Sequence, residues 1–555
     1  MPYGWCAAES DPAGVFSLQA VYQAYRACRR GKRGARETQR YELRLLDHLI
    51  ETREALVARC WSPARSVAFI TLRPKAREIH AAPFADRVVH HLLVSRLEAL
   101  YEARFIHDSY ANRHGKGTHA AVERLQHFQR QLTHNGRRRA WFLQLDIRNF
   151  FYSIHRPRLL GLLRRRLDQS RVRGELATAE VEPLDWLCAT ILGADPMAGC
   201  IRVGDPRRFR QVPLHKRLDQ APPETGLPIG NLTSQFFGNV YLNELDQFVK
   251  HVLKCRHYLR YVDDFVLLHS DPDLLRIWRD SIAEFLRQRL GLQLKDPGRL
   301  APVSQGVDFL GYIVRPGYRL VRRRVLGHLR DRLRLTKQRL HRPLSGGIQQ
   351  RLTRPARERL RAGLASALGH GRHACFANGW RRVWQAEPWL ADWFCSPPCL
   401  PWWRPGRGRG ARIGLIPRWE PASVSSLRGQ WRYFRLQGDE LVLMQVGNRV
   451  EAYGVDVIRL RVLRPRARPA SRPGFSEVFC LPLKALVGLR QQLRRQGIAH
   501  RFIAEEGYLR SGRKRRVLRL IWRPLSAAFP LLSSDWPSLP SGQDGSPATA
   551  SESPL

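Results

Sequence analysis

Three aspartates stand in the sequence where carboxylates could hold metal ions. Asp146 ends the apolar run Trp141-Phe-Leu-Gln-Leu, which predicts a strand. Asp263 and Asp264 are adjacent and lie between two further strand-like runs, so we expect them at a hairpin turn. Mg²⁺ prefers carboxylate oxygens, and two such ions about 4 Å apart can activate an attacking hydroxyl and stabilise a leaving oxygen. The pattern favours a two-metal nucleotidyl-transfer site, whereas an Asp-Asp pair by itself is usually an ordinary polar turn.

Further segments around these acids resemble the sequence boxes of reverse transcriptases and follow in that family's order. The segment Tyr261-Val-Asp-Asp264 is similar to the catalytic box, and Gln144-Leu-Asp-Ile147 is similar to the first metal-binding strand. The resemblance covers residues 70–385, more than half of the chain. It implies that the three aspartates are catalytic and hold two Mg²⁺ ions, with Mn²⁺ as the substitute. It also adds Ile147 to the metal-binding residues.

The same resemblance assigns further residues to the substrates. Residues implied to contact the incoming deoxynucleotide are Lys75, Arg77, Phe151, Ile229, Gly230, Gln235 and Lys295. Lys75 and Arg77 would offset the charge of the triphosphate, and Phe151 would exclude a 2′-hydroxyl from the sugar site. The primer and template would meet Tyr261, Gly311 and Tyr312. Plainer interpretations stay open, because Phe150 and Phe151 could be core residues and Lys295 a solvated lysine.

The segment Gly226–Gln235 departs from the common family pattern. Ile229 stands where a glutamine usually opens this box, and Gln235 stands where a proline usually closes it. This variant resembles the reverse transcriptases of diversity-generating retroelements, which copy a template RNA with frequent errors at adenines. Loss of a polar group beside the templating base would remove a hydrogen bond that checks pairing geometry. The expected partners are an RNA template, a DNA primer or cDNA, dNTPs and, as in that family, a small basic accessory protein.

Two rival functions remain open at this point. One is a host-adopted reverse transcriptase in defence or repair, and the other is a catalytically silent nucleic-acid-binding scaffold. The charge of the chain agrees with these two functions and with the retroelement enzyme alike. The chain has 94 Lys and Arg and 48 Asp and Glu, which gives a formal net charge of +46. Phosphates neutralised by such a protein release counterions, which strengthens binding. Genome composition accounts for part of the arginine excess but not for the shortage of acids.

The C-terminal part carries a second resemblance. The strands and helices predicted from Trp431 onwards are similar in order to the N-terminal mismatch-recognition domain of MutS proteins. Gly447 and Glu451 match its DNA-contacting segment, but Arg449 replaces the aromatic wedge and Val450 the aromatic after it. The resemblance implies accessory DNA binding through Arg449 and Glu451. Mismatch sensing is not expected, because an arginine does not unstack a base pair as an aromatic does. A generic small α/β docking domain is the alternative.

The expected fold class is α+β, with a right-hand polymerase followed by a small α/β module. The predicted segments are a helical extension (1–65), fingers and palm (66–325), a helical thumb (326–385), a Pro/Gly/Arg-rich linker (386–424), the MutS-like module (425–525) and a disordered tail (526–555). Ten scattered cysteines fit a reducing cytosol, and neither a signal peptide nor a membrane span is predicted, so we expect a cytoplasmic protein. Cys395 and Cys399 are zinc candidates, with free thiols as the alternative.

Overall fold

The computed structural model describes residues 14–72, 75–295, 297–344, 346–395, 416–421, 424–465, 469–509 and 511–525. Most of the predicted linker, the predicted tail and Cys399 therefore lie outside the described residues. The chain divides into two compact units, Met1–Arg319 and Leu320–Leu555. Helices and strands occur in both units, in agreement with the α+β class predicted from the sequence. No described helix is both long enough and apolar enough to cross a membrane.

The first unit is built from helices around a small central sheet. Its α-helices are α1 (Leu18–Arg29), α2 (Arg36–Leu43), α3 (Leu45–Val57), α4 (Phe84–Tyr101), α5 (Thr118–Leu132), α6 (Phe150–Ser153), α7 (Arg156–Val172), α8 (Thr178–Gly193), α9 (Pro206–Phe209), α10 (Leu232–Gln247) and α11 (Pro272–Phe285). Its strands are β1 (Val67–Thr71), β2 (Arg77–Ala81), β3 (Trp141–Leu145), β4 (Ile201–Arg202), β5 (His257–Tyr261), β6 (Asp264–His269), β7 (Arg299–Pro302), β8 (Val307–Phe309) and β9 (Tyr312–Val314). Strand β10 (Arg319–Val321) begins at the last residue of the unit.

The central sheet has the strand order β5-β6-β3-β7, and all neighbours are antiparallel. Its strands form because apolar residues dominate both faces, and the middle four residues of β6 are all buried. One face packs on α4, α7, α10 and α11 through a single large hydrophobic core. Helix α10 is buried on nearly all sides, and the buried residues include polar ones such as Asn239 and Asp246 as well as apolar ones. This enclosed layer gives the sheet a rigid backing.

Two hairpins flank the central sheet. Strands β1 and β2 pair antiparallel from Val67↔Ala81 to Thr71↔Arg77, and β4 adds to β1 in parallel. Strands β8 and β9 pair through Phe309↔Tyr312, and Gly311 in the turn between them has a φ of 90°. A glycine tolerates this backbone conformation, whereas most other residues do not. Gly311 therefore allows a tight turn between β8 and β9.

The second unit is organised around an eight-stranded sheet. Its helices are α12 (Arg323–Leu340), α13 (Arg354–Gly371), α14 (Ala377–Ala386), α15 (Leu427–Arg435), α16 (Val455–Leu463) and α17 (Leu486–Arg495). Its strands are β11 (His341–Leu344), β12 (Gly347–Arg351), β13 (Phe394–Cys395), β14 (Ile416–Pro417), β15 (Leu441–Val446), β16 (Arg449–Tyr453), β17 (Pro469–Arg472), β18 (Phe475–Pro482), β19 (His500–Tyr508) and β20 (Lys514–Pro524). The large sheet has the order β11-β12-β20-β19-β15-β16-β18-β17.

The division of this second unit differs from the predicted separation of a thumb at 326–385 from a module at 425–525. Strand β12 lies in the predicted thumb but pairs with β20 of the predicted module, from Gly347↔Pro524 to Arg351↔Leu520. Residues of α12, α13 and α14 also share one hydrophobic core with β15, β19 and β20. The two segments are one folded body, because neither the short strands nor the apolar helix faces are buried without the other segment.

Candidate active site

The structure brings the three predicted aspartates to one end of the central sheet. Strands β3 and β6 pair up to Leu145↔Phe265, so the next residues of that pairing are Asp146 and Asp264. Strands β5 and β6 pair at Tyr261↔Asp264, which leaves Val262 and Asp263 as a two-residue hairpin turn. The hairpin expected around the Asp-Asp pair is thus present, and it places both acids beside the end of the strand that leads to Asp146.

The carboxylates at this edge are close enough to perturb one another. The pKa of Asp263 rises to about 6, first because of burial and then because of the negative charge of Asp146. The pKa of Asp264 rises to about 7, through burial and then through repulsion from Asp263 and Asp146. Burial and neighbouring like charges both disfavour ionisation of a carboxyl group. Burial and repulsion between carboxylates therefore both act on the acids at this sheet edge.

These residues fit divalent metal ions. Three acidic side chains, two of which have a pKa raised by burial and by neighbouring carboxylates, supply the hard oxygen ligands and the negative potential that such ions require. In the described part of the chain, no group of three or more His, Cys, Asp or Glu side chains, the three aspartates included, is arranged so that it could hold a metal ion, so the fit rests on the chemistry of the aspartates and not on a preformed ligand geometry. The side chain of Ile147 is apolar and 2% exposed, so the backbone carbonyl is the atom that this residue offers to a metal.

Both predicted lysines, Lys75 and Lys295, and the predicted arginine, Arg77, interact electrostatically with the three aspartates. Lys295 Nζ lies 3.5 Å from Asp146 Oδ2, and its backbone N–H donates to the Asp146 carbonyl at 2.8 Å. Lys75 and Lys295 partly offset the rise in the pKa of Asp264, and Arg77 does so for Asp263. The predicted cations are therefore grouped around the acids. Arg73 and Pro74 of the same sequence motif lie outside the described residues.

The two phenylalanines after Asp146 differ in exposure. Phe150 is 2% exposed and belongs to the core, whereas Phe151 is only half-buried, with ring centroids 5.1 Å apart. The Phe151 carbonyl accepts a hydrogen bond from the Leu227 N–H at 2.7 Å, which ties this turn to the box that begins at Gly226. Of the two candidates, Phe151 is the one with surface left for a substrate.

The box around Gly230 is held against strand β2 by its backbone. The His80 N–H donates to the Ile229 carbonyl at 2.8 Å, and Gly230 has a φ of 134°. A Cβ at Gly230 would stand 2.7 Å from the His80 carbonyl oxygen, so this glycine permits a close approach of two backbones. Ile229 is half-buried and Gln235 is exposed near the start of α10, which leaves surface on both for a substrate.

The three residues predicted to contact primer and template differ in location and in exposure to solvent. The Tyr261 hydroxyl oxygen accepts a hydrogen bond from Thr118 Oγ1 at 3.2 Å, beside the Asp-Asp turn. Gly311 shapes the hairpin turn described above. The side chain of Tyr312 is 0% exposed. The prediction that its ring contacts a primer is therefore wrong in this structure. The ring instead packs edge-on against His119 of α5, with 6.3 Å between the ring centroids, and burial of an aromatic ring is favourable.

Comparison with known proteins agrees with this geometry. Residues 73–314 match the family described as Reverse transcriptase (RNA-dependent DNA polymerase). This segment, somewhat less than half of the chain, is similar to a reverse transcriptase domain. The matched segment contains all three aspartates, and it confirms the predicted enzyme class, an RNA-directed DNA polymerase of the nucleotidyltransferase group.

Individual relatives of the reverse transcriptase domain are distant. Protein YkfC of Escherichia coli (strain K12) is 26% identical, over 47% of this chain and 68% of the relative. Telomerase from Candida albicans, in complex with a TWJ fragment of telomeric RNA, gives a TM-score of 0.33 at 11% identity, over 60% of this chain and 57% of that one. Apo telomerase from Candida tropicalis, truncated from the C-terminal domain, gives 0.33 at 13% identity, over 45% and 52%. The chain spans little more than half the length of these two telomerase chains.

Beyond the reverse transcriptase domain, the structure corrects one of the two residues predicted to bind DNA. Glu451 is 1% exposed, and its carboxylate accepts hydrogen bonds from the Tyr453 hydroxyl at 2.6 Å and from Arg472 at 2.6 Å. A base cannot reach this carboxylate, because the core of the second unit encloses it. Arg449 is exposed at the start of β16, where it donates to Cys480 Sγ at 3.4 Å. The resemblance to MutS stays a prediction.

Sequence reasoning missed one residue of this site. Arg260 precedes the catalytic box by one position, and its guanidinium is fully buried and donates to the Val262 carbonyl at 2.9 Å. A basic residue in a strand is normally assigned to the surface. The signal that could have revealed it is the apolar run on both sides, since an arginine inside such a run has to be buried with a partner.

Proposed function

We propose that this protein is an RNA-templated DNA polymerase that extends a primer 3′-hydroxyl with dNTPs. The observation that carries the proposal is the meeting of Asp146, Asp263 and Asp264 at one sheet edge, where burial and neighbouring carboxylates raise the pKa of Asp263 and Asp264. These carboxylates would hold two Mg²⁺ ions, or Mn²⁺ in their place, with the Ile147 carbonyl as a further ligand. Ions bound there would acidify the attacking hydroxyl and stabilise the charge on the leaving pyrophosphate.

The remaining residues of the site orient the nucleotide and offset its charge. Lys75 and Arg77 supply positive charge to the triphosphate. Lys295 lies beside Asp146, where its ammonium group offsets the negative charge of the leaving pyrophosphate. Phe151 presses on the sugar and disfavours a 2′-hydroxyl. Ile229, Gly230 and Gln235 line the nascent base pair, and Tyr261 and Gly311 support the primer end. Backbone hydrogen bonds at Ile229 and Lys295 hold two of these segments in place, which would reduce the reorganisation needed in the reaction.

The test is primer extension on an RNA template with the full chain in the presence of Mg²⁺ or Mn²⁺. We expect DNA synthesis, and a loss of about 10²–10³-fold in kcat for Asp263→Asn, as is usual when one electrostatic stabiliser is removed. The matched control is Asp273→Asn, which changes an exposed acid on α11 and should leave kcat unchanged. Equal extension by wild type and Asp263→Asn would refute catalysis by these carboxylates, and no extension by any of the proteins would favour a silent scaffold.

We further propose error-prone copying within a diversity-generating retroelement, assisted by a small basic accessory protein. The support is Ile229, an apolar and half-buried side chain where a polar one usually stands. Sequencing of cDNA should give misincorporation mostly opposite template adenines, and Ile229→Gln should reduce it by about 10-fold, the discrimination expected of one polar contact. A near-identical template and variable repeat pair in the neighbouring DNA is expected as well. A uniform error spectrum with no such repeats would favour a host-adopted enzyme in the cytoplasm.

The remaining architecture is also proposed. The first unit would supply the fingers (66–140) and most of the palm (141–325), and the second unit would supply, within one folded body, both the thumb surface (326–385) and an accessory nucleic-acid-binding surface (425–525). Support for the last comes from the exposed Arg449 and from the large positive charge of the chain. Filter binding of duplex DNA at rising salt tests it. Arg449→Ala should weaken binding and lower the slope of log Kd against log salt by about 0.9, the value of one phosphate contact. An unchanged slope would contradict this role.

A further inference from the structure

Arg260 is an uncommon residue for its position. It lies in β5, in the run His257-Tyr-Leu-Arg-Tyr261, and its side chain is 0% exposed. Burial of a guanidinium is unfavourable unless a counter-charge and hydrogen-bond acceptors surround it completely. The groups that surround the Arg260 guanidinium are therefore bound to it and held in place by it.

Every N–H of the Arg260 side chain has an acceptor. The guanidinium carries five N–H donors in a fixed planar fork. Nε and Nη2 donate to the two carboxylate oxygens of Asp246 at 2.8 and 2.6 Å. The second Nη2 hydrogen points to Ser109 Oγ at 3.2 Å, and Nη1 donates to Asn239 Oδ1 at 3.3 Å and to the Val262 carbonyl at 2.9 Å. A lysine has only three donors without this planar geometry and could not replace the full set.

The last of these acceptors belongs to the Asp-Asp turn. Val262 has a φ of 55°, in the left-handed region. A β-branched residue rarely adopts this conformation, which persists only where its surroundings enforce it. The bond from Arg260 fixes the carbonyl of this strained residue, and the next residue along the chain is Asp263. The orientation of the Asp263 carboxylate therefore depends on a peptide unit that Arg260 holds.

The other end of this connection is anchored in two further elements. Asp246 and Asn239 both lie on α10, and Asp246 is 0% exposed and also accepts from the Tyr258 hydroxyl at 2.7 Å. The backbone of β5 is joined to residues 108–110, because the Arg260 N–H donates to the Asp108 carbonyl at 2.9 Å and the Tyr110 N–H donates to the Arg260 carbonyl at 3.0 Å. The Asp-Asp turn is thus fastened through Arg260 to the most enclosed helix of the first unit.

We infer that Arg260 is a positioning residue that holds the Val262–Asp263 turn in the conformation required for divalent-metal binding. The inference rests on the proposed function, because it assigns the metal-holding role to the same carboxylates. Arg260 touches neither the metal nor the substrates in this scheme. It acts through the Val262 carbonyl, and its positive charge, which Arg260→Lys retains, also favours the ionised form of Asp263. A displacement of about 1 Å at a catalytic group can cost about 10²-fold in rate.

The experiment compares Arg260→Lys with Arg166→Lys in the full chain. Arg166 is a matched control from the same unit, since it is 7% exposed, pairs with Glu175 and donates twice to the Leu100 carbonyl. Free Mn²⁺ is followed by electron paramagnetic resonance during titration, and the Mn²⁺ lost in Asp263→Asn defines the site. We expect Arg260→Lys to weaken this binding by at least about 10-fold and to lower kcat by about 10²-fold, with KM for dNTPs changed by less than about threefold. Arg166→Lys should change neither Mn²⁺ affinity nor kcat.

The outcomes separate this inference from the proposed function. Wild-type Mn²⁺ affinity in folded Arg260→Lys, or an equal loss in Arg166→Lys, would overturn the role of Arg260 even if the protein polymerises. If wild type extends no primer but Arg260→Lys still loses Mn²⁺, the polymerase proposal fails and the positioning role stands. Should Arg260→Lys not fold, Ser109→Ala decides, because it removes a single acceptor. A several-fold loss of Mn²⁺ affinity in Ser109→Ala supports the inference, and unchanged affinity overturns it.

Discussion

Replacement of Asp264 by asparagine should stabilise the metal-free protein while it abolishes polymerase activity. At pH 8 the carboxyl of Asp264 is ionised although burial, Asp263 and Asp146 all disfavour the charge. Each tenfold change in an acidity constant is worth about 1.4 kcal/mol, so the rise in pKa from 3.8 to about 7 corresponds to about 4 kcal/mol. Part of this is shared with Asp263, and we expect Asp264→Asn to raise the free energy of unfolding by about 2–4 kcal/mol.

The sign of the pH dependence distinguishes this cause from improved packing. Because the folded state holds the Asp264 proton more tightly than the unfolded state does, wild type loses stability as the pH rises from about 4 to about 7. Asp264→Asn lacks this loss, so the difference between the two proteins should be full at pH 8 and nearly absent at pH 4. Mg²⁺ added at pH 8 should stabilise wild type more than the variant, since it binds only to the folded state.

The assay is thermal unfolding in EDTA at pH 4, 5.5, 7 and 8, with Asp273→Asn as the exposed-acid control. For a unit of this size, 2–4 kcal/mol corresponds to a rise of about 4–10 °C in Tm at pH 8. Destabilisation by Asp264→Asn at pH 8, or a difference that does not change with pH, would refute the assignment of repulsion among these carboxylates. The control should stay within about 1 °C of wild type throughout.

Three further predictions address other parts of the structure. Phe151→Ala should raise the ratio of kcat/KM for rNTPs to kcat/KM for dNTPs by about 10–10²-fold in single-nucleotide extension. An unchanged ratio would favour the alternative that Phe151 is only a core residue. Gly230→Ala should cost about 1–3 kcal/mol in urea unfolding, because its Cβ would meet the His80 carbonyl oxygen at 2.7 Å; a loss below about 0.5 kcal/mol would contradict this contact. Glu451→Ala should destabilise the second unit by about 3–5 kcal/mol in the same assay, since it leaves Arg472 and Tyr453 without their partner, while primer extension at low temperature stays at the wild-type rate.

Local patterns were sufficient to predict where the three aspartates lie, whereas their proposed catalytic role came from the family resemblance. Asp146 and the Asp263-Asp264 pair are each marked by adjacent apolar runs, and a strand end and a hairpin turn are features of short stretches of chain. Their convergence follows once β3 and β6 pair. The family resemblance supplied the cations around them, and Lys295 lies beside Asp146 as this implies.

Long-range packing accounts for what the sequence did not reveal. Whether Tyr312 or Glu451 faces solvent depends on neighbours that are distant in the chain, such as α5 for the first and Arg472 for the second. Arg260 was missed for the same reason, because its acceptors come from residues 109, 239 and 246. The pairing of β12 with β20 joins residues 347 and 524, and nothing near either position indicates the other.

That pairing bears on how the protein can be divided for study. A truncation near residue 385, intended to isolate the polymerase, would strip β12 of the strand that saturates its outer N–H and C=O groups. It would also uncover the apolar side chains of α12 and α13 that bury against β20. An unpaired edge beside exposed apolar surface recruits other chains, so such a fragment should aggregate. Cleavage within 396–415, between the two segments, would instead leave two pieces that remain associated as one folded body.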